Sequence, residues 1–145
     1  MEFTDETYSK LIEELFEKHP TVQREGFGTG AYKPGIENMT AFDRRLGEPW
    51  RNFPSIHVAG TNGKGSTAAI LDAIYHAAGY RTGLFTSPHL VQLGERIQVN
   101  RHILTQDEIL QYVRDLKPIA ERLGDIDPDD HPSFFEFLTA MGFLT

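Results

Sequence analysis

A glycine-rich stretch at residues 55–67, Ser-Ile-His-Val-Ala-Gly-Thr-Asn-Gly-Lys-Gly-Ser-Thr, limits the possible folds of this chain most strongly. Its first half carries Ile56 and Val58, which are typical of a short buried strand. A run rich in alanine follows from Thr67 to Ala78, with apolar side chains at helical spacing. A strand, a glycine loop and a helix in this order predict a βα unit whose loop lies at the carboxyl end of the strand.

The loop of this βα unit has the composition of a phosphate-binding site. Glycines let the backbone curl so that successive N–H groups point inward, and the helix N-terminus adds partial positive charge. Lys64 would reach the outer phosphates and is the predicted catalytic residue, while Ser66 or Thr67 would contact magnesium or a phosphate oxygen. The predicted nucleotide-binding residues are Gly60, Thr61, Asn62, Gly63, Lys64, Gly65, Ser66 and Thr67.

The loop departs from the strict pattern G-x-x-x-x-G-K-[ST] at two positions. Val58 occupies the position of the first glycine, and Gly65 follows the lysine where a hydroxyl residue is expected. A glycine-rich turn without function is the alternative. The predicted strand and helix lie where phosphate binding needs them, and this favours the functional interpretation.

Three blocks of sequence resemble one known family in their order and spacing. The stretch Gly-Thr-Asn-Gly-Lys-Gly-Ser at 60–66 resembles the nucleotide loop of the ATP-dependent amide ligases that include the Mur ligases, and it is most similar to the folylpolyglutamate synthase and dihydrofolate synthase branch. The second block is residues 79–90 with Glu-Arg-Ile at 95–97, and the third is residues 133–140. The resemblance covers residues 35–145. It implies an α/β fold, a P-loop nucleotide-binding domain of Mur-ligase type with a parallel sheet.

Ser87 is a candidate magnesium ligand. Residues 82–86 predict a second strand, parallel to the first through a right-handed crossover. Because ligands bind beyond the carboxyl ends of such strands, Ser87 would lie on the same edge as the phosphate loop. The resemblance implies the same role for its hydroxyl, and an ordinary Ser-Pro turn is the alternative.

Glu136 has two interpretations. The spacing Ser133-x-x-Glu136 is a capping box, in which the glutamate only accepts a hydrogen bond from the Ser133 N–H. The resemblance implies instead that Glu136 binds magnesium, and we favour that role. A carboxylate, a hydroxyl and phosphate oxygens suit magnesium, which takes few protein ligands.

The resemblance also implies substrate contacts at four residues. Gly35 and Ile36 would lie near a pterin, although an ordinary helix start explains them as well. Pro88 and His89 would lie in a mobile loop, residues 88–94, that links the nucleotide and folate sites. A purely structural role is the alternative for His89. The glycine-rich loop at 21–35 has no assigned role.

Local signals predict the remaining elements. Residues 5–19 have the pattern of an amphipathic helix. Gly47 and Gly79 are predicted to end helices, and Asn100-Arg101 is predicted to turn a hairpin. A capping box at Thr105 begins a helix to Gly124 that Pro118 should kink or end early. Residues 125–132 predict a solvated acidic linker.

The composition excludes several classes of function. The chain has 145 residues, and its 14 basic and 21 acidic residues give a net charge of −7, so a nucleic-acid partner is not expected. It has no cysteine, which excludes disulfides and cysteine-bound zinc and fits a cytoplasmic location. No apolar run is long enough to span a membrane, and the acidic N-terminus does not resemble a signal peptide.

The resemblance implies an ADP-forming ligase that uses ATP and Mg²⁺ to join L-glutamate to folate or dihydropteroate. Because members of this family are much longer, we expect residues 1–145 to be the N-terminal portion of the ATP-binding domain, without the C-terminal ligase domain. Such a fragment is expected to be inactive and to associate through exposed apolar edges, while the whole protein would be a monomer. The alternatives are a Mur-type ligase of cell-wall precursors and a non-catalytic nucleotide-binding module.

Overall fold

The computed structural model describes residues 8–13, 36–127 and 130–145. Residues 8–13 are helical, and short 3₁₀ helices lie at Pro49–Asn52 and Leu93–Arg96. The other elements, in chain order, are α1 (Glu37–Arg45), α2 (Lys64–Ala77), β1 (Gly83–Phe85), β2 (Ile97–Val99), β3 (His102–Ile103), α3 (Gln106–Ile126) and α4 (Phe134–Leu144). The described residues divide into two compact units. The first runs up to Trp50 and from Leu110 to Leu144, and the second consists of Arg51–Ile109 with Thr145.

The first unit is helical and has an apolar core. Phe42 of α1 and Phe137 of α4 are both fully buried, and their ring centroids lie 6.0 Å apart. The other buried apolar side chains of this unit are Leu110, Val113, Leu116, Ala120, Leu123, Phe134, Leu138, Ala140 and Met141. Burial of these side chains is the main favourable contribution to folding of this unit.

Glycines end two helices as the sequence predicts. Gly79 has φ 89° and donates its N–H to the His76 carbonyl oxygen at 2.9 Å. The Tyr80 N–H reaches the Tyr75 carbonyl oxygen at 3.1 Å, and the two tyrosine rings pack edge to face at 5.7 Å. These paired hydrogen bonds and the accompanying contact form a Schellman motif at the end of α2. Gly47, with φ 82°, follows the end of α1 in the same way.

Helix α3 begins at the predicted capping box but continues past the predicted break. The Thr105 N–H donates to the Glu108 carboxylate at 2.8 Å, and the Glu108 N–H returns a bond to the Thr105 hydroxyl at 3.3 Å. Pro118 lies inside a helix of 21 residues, so the prediction of an early end is wrong. A proline removes one ladder bond, and burial of Leu116 and Ala120 on either side of it offsets that loss.

The second unit contains a three-stranded antiparallel sheet in the order β1-β2-β3. Phe85 of β1 pairs with Ile97 of β2, and Val99 pairs with His102 of β3. Asn100 and Arg101 connect β2 to β3 with φ values of 49° and 67°, which are the left-handed values of a two-residue hairpin turn. The predicted hairpin is confirmed.

The described residues do not form the expected parallel pairing of residues 55–59 with residues 82–86. Residues 54–59 have no strand assignment, and β1 instead pairs antiparallel with β2. Ile56 is 60% exposed, so these residues do not form the predicted buried strand within the part of the chain that the structure describes. A strand requires a neighbouring backbone to accept and donate its hydrogen bonds, and no such neighbour lies beside residues 54–59 within the described ranges. On α2, Ile70 and Ile74 are similarly exposed.

Gly94 offers a test of packing in the second unit. A β-carbon added there would collide with the Leu104 carbonyl oxygen and lie 3.2 Å from its carbon. Because backbone atoms cannot move aside cheaply, Gly94→Ala should lower the free energy of unfolding by about 1–3 kcal/mol. Gly83→Ala is the matched control, since nothing lies within 4 Å of its added β-carbon. Urea unfolding followed by circular dichroism measures both, and equal effects of the two changes would contradict this packing.

No helix among the described residues combines the length and the apolar character that crossing a membrane requires.

Candidate functional site

The loop at residues 60–63 leads directly into α2. Gly63 is the residue before the helix and has φ 74° and ψ 2°, a left-handed conformation that favours glycine. The first ladder bond of α2 runs from the Thr67 N–H to the Gly63 carbonyl oxygen at 2.9 Å. The N–H groups of Lys64, Gly65 and Ser66 therefore precede the ladder, in the position where helix N-termini bind anions.

Lys64 lies over this loop. Its ammonium donates to the carbonyl oxygens of Gly60 at 2.6 Å and Thr61 at 3.1 Å. An ammonium has three N–H donors, so these two bonds leave one donor for a ligand oxygen. The loop's own carbonyls thus hold a positive charge beside the N-terminus of α2.

The structure brings together the eight residues predicted to bind phosphate. Residues 60–67 are contiguous and exposed, and Ser66 and Thr67 lie in the first turn of α2. The helix begins three residues earlier than the alanine-rich pattern indicates, at Lys64. This earlier start places the lysine itself in the first turn, next to the glycine loop.

A second group of polar side chains surrounds Ser87, and it includes a residue that sequence reasoning missed. Arg96 is only 2% exposed, and its Nε donates to His89 Nδ1 at 2.8 Å. Its Nη1 donates to Ser87 Oγ at 3.1 Å. The peptide bond between Ser87 and Pro88 is cis. In the sequence, Arg96 is noticeable only as one residue of the second block that resembles the family. Its hydrogen-bond partners depend on how residues 87–96 fold.

Glu95 holds the loop that follows His89. Its carboxylate accepts the N–H of Leu90 at 2.8 Å and those of Val91 and Gln92 at 2.9 Å each. These hydrogen bonds lower the pKa of the Glu95 carboxyl below its ordinary value, led by the one from Leu90. Leu90 and Val91 are 92% and 88% exposed, so one carboxylate fixes a loop that presents two apolar side chains to solvent.

The lowered pKa predicts how the stability of this loop depends on pH. The ionised Glu95 carboxylate stabilises the folded loop above the ordinary pKa of 4.5, and this contribution disappears as the pH falls through the lower folded value. Glu95→Gln should therefore increase amide hydrogen exchange of residues 90–92 at neutral pH and little at acid pH. Glu121→Gln is the control. If both variants exchange like the wild type at neutral pH, the carboxylate does not hold the loop.

Glu136 forms the capping box that the sequence predicts. Its carboxylate accepts the Ser133 N–H at 2.7 Å, and the Glu136 N–H donates to the Ser133 hydroxyl at 3.3 Å. Glu136 lies in the first unit, whereas Lys64 and Ser87 lie in the second. The capping interpretation is confirmed, and a metal-binding role remains a prediction.

The structure describes one of the two residues before α1 that are predicted to contact substrate. Gly35 lies outside the described residues. Ile36 is the residue before α1 and is 74% exposed, and its carbonyl oxygen accepts the Thr40 N–H at 2.8 Å. The ordinary helix start is therefore present at Ile36, and contact with substrate remains a prediction.

The fold and the sequence both have close relatives among known proteins. No protein-family model matches the chain. It is 42% identical over 112 residues to a dihydrofolate synthase/folylpolyglutamate synthase of Bacillus subtilis, a match that covers 77% of this chain and 26% of the relative. The chain thus spans about a quarter of the length of this curated relative.

Solved structures give the same result. A folylpolyglutamate synthase from Thermotoga maritima matches with a TM-score of 0.82 and 33% identity, over 96% of this chain and 30% of that one. A Mycobacterium tuberculosis folylpolyglutamate synthase complexed with ADP and AMPPCP matches with a TM-score of 0.79 and 31% identity, over 97% and 29%. The fold is therefore of the Mur-ligase type. Sequence and structure together place this chain in the folylpolyglutamate synthase and dihydrofolate synthase family.

Proposed function

We propose that this chain is the nucleotide-binding part of an ATP-dependent ligase that joins L-glutamate to a carboxyl group of folate or dihydropteroate. The observation that carries the proposal is the Lys64 ammonium held over the glycine loop at the N-terminus of α2. This is the arrangement that binds phosphate oxygens. The family supports the choice of folate and glutamate as substrates.

In the proposed reaction, a carboxylate oxygen of the folate substrate attacks the γ-phosphorus of ATP, and ADP leaves. The amine of glutamate then attacks the acyl carbon, phosphate leaves, and the nitrogen loses a proton as the amide forms. Lys64 and the N–H groups of Gly65 and Ser66 would hold the phosphoryl oxygens. They would stabilise negative charge as it moves onto the leaving group.

Each candidate ligand, taken by itself, has chemistry that suits magnesium. Ser87 offers a hydroxyl oxygen that keeps a lone pair beside its hydrogen bond from Arg96. Glu136 uses Oε2 for its cap and has a second carboxylate oxygen. No group of three or more His, Cys, Asp or Glu side chains within the described ranges could hold a metal, and magnesium binds through few protein oxygens. When bound, Mg²⁺ would neutralise charge on the phosphates.

We also propose that residues 1–145 form the N-terminal part of the ATP-binding domain of a longer protein. The short span of this chain relative to the Bacillus subtilis protein supports this. In the longer protein, residues 55–59 would pair as a strand of a parallel sheet, and Ile70 and Ile74 of α2 would be covered. The chain alone would not turn over ATP, and its exposed apolar side chains would favour association between copies.

Release of ADP by the complete protein tests the proposed reaction. We expect release to require both L-glutamate and a folate or dihydropteroate. Competition by dihydropteroate, and none by a nucleotide-sugar peptide, would separate this enzyme from a Mur-type ligase. ADP release that does not require L-glutamate would contradict the proposal. ATP binding without release of ADP would indicate a non-catalytic module.

A further inference from the structure

Arg96 is a buried cation with two specific side-chain partners. It ends the 3₁₀ helix Leu93–Arg96 and is 2% exposed. Burial lowers the pKa of its guanidinium, which nonetheless stays protonated. Removing a charge from water costs several kcal/mol in general, and the hydrogen bonds of a buried charge offset that cost. Two of those bonds go to Ser87 and His89, which the sequence predicts to be site residues.

The bond to His89 fixes the state of the imidazole. An arginine Nε always carries a hydrogen, so His89 Nδ1 must be the acceptor at 2.8 Å. The proton of the neutral ring then lies on Nε2. His89 is therefore held as a donor whose Nε2–H points away from Arg96.

The bond to Ser87 fixes the hydroxyl oxygen. Arg96 Nη1 donates to Ser87 Oγ at 3.1 Å and so occupies one of its two lone pairs. The hydroxyl keeps one lone pair and one O–H for other partners. Since Nε and Nη1 belong to one rigid plane, the serine and the histidine are positioned relative to each other.

We propose that Arg96 is a positioning residue that sets Ser87 and His89 in one geometry for the ligase reaction. Ser87 then presents an oxygen lone pair to a hard cation, and His89 presents an N–H donor to an acceptor atom of the substrate. The catalytic role of Arg96 rests on the proposed function, whereas its hydrogen bonds to Ser87 and His89 do not depend on that proposal. A lysine at position 96 has a single nitrogen and cannot reproduce both bonds in their planar arrangement.

The first measurement tests the geometry without any substrate. The complete protein, labelled with ¹⁵N-histidine, is studied by NMR at about pH 8, above the ordinary imidazole range. The His89 signal is identified by its loss in His89→Gln. We expect the Nε2–H tautomer in the wild type and a mixture of tautomers in Arg96→Lys. A wild-type Nδ1–H tautomer would overturn the proposal, whether or not the variant folds.

The second measurement tests the role in catalysis. We expect Arg96→Lys to lower kcat about 100-fold, the size of effect that misplaced groups produce, while KM for ATP changes little. Manganese binding, measured by electron paramagnetic resonance in the presence of ATP, should weaken in Arg96→Lys and in Ser87→Ala. Arg114→Lys is the matched control. Unchanged kcat and manganese affinity in a folded Arg96→Lys protein would overturn the proposal. If the tautomer is as expected but the wild type has no ligase activity, only the proposed function fails.

Discussion

Lys64→Ala is expected to reduce kcat/KM of the complete ligase about 100-fold or more while leaving its unfolding temperature unchanged. Lys64 is exposed, and within the described residues its ammonium bonds only to carbonyl oxygens of its own loop. Lys64→Ala should therefore change the free energy of unfolding very little. The transferring phosphoryl group would lose a fixed positive charge, and loss of one such group costs about 2.7–4 kcal/mol of transition-state stabilisation.

Steady-state ADP release measures this effect. Lys64→Arg keeps the charge but changes its shape and reach, so we expect an intermediate loss. Lys10→Ala removes an exposed lysine from the first unit and serves as the control for a change of net charge. If Lys64→Ala kept wild-type kcat/KM, the ammonium over the glycine loop would have no part in phosphoryl transfer.

The second large effect is expected in the core of the first unit. Phe137 is fully buried against Phe42, with ring centroids 6.0 Å apart. Phe137→Ala should lower the free energy of unfolding by about 3–5 kcal/mol, because it removes buried apolar surface and leaves a cavity. That is a large share of the 5–15 kcal/mol that stabilises a typical domain.

A neighbouring phenylalanine provides the matched control for this core. Phe135 is 52% exposed on the same helix, so Phe135→Ala should cost less than half as much. Trp50 is the single tryptophan of the chain and lies in the first unit, so its fluorescence during urea unfolding reports on this unit. Equal effects of the two alanine changes would contradict the described core.

Features that depend on neighbouring residues were predictable from the sequence. The capping boxes at Thr105 and Ser133, the helix-ending Gly79 and the hairpin turn at Asn100 all follow from contacts within a few residues. Such contacts depend on local backbone chemistry alone. The glycine loop before α2 depends on the same local chemistry, although the helix begins at Lys64, three residues earlier than the alanine-rich pattern indicates.

Features that depend on distant partners were not predictable in the same way. Ile56 looks like part of a buried strand, yet strand formation needs a neighbouring backbone that the local pattern cannot supply. Pro118 looks like a helix break, yet apolar burial along α3 preserves the helix. Arg96 looks like an ordinary charged residue until the chain folds back and places it against Ser87 and His89.

Calorimetric titration of Mg-ATP into this chain shows whether residues 60–67 form a nucleotide phosphate site. We expect saturable binding at one site in the wild type and no measurable binding in Lys64→Ala. Circular dichroism should be identical for the two proteins. Absence of binding in a folded wild-type chain, or equal binding by Lys64→Ala, would show that residues 60–67 do not form this site.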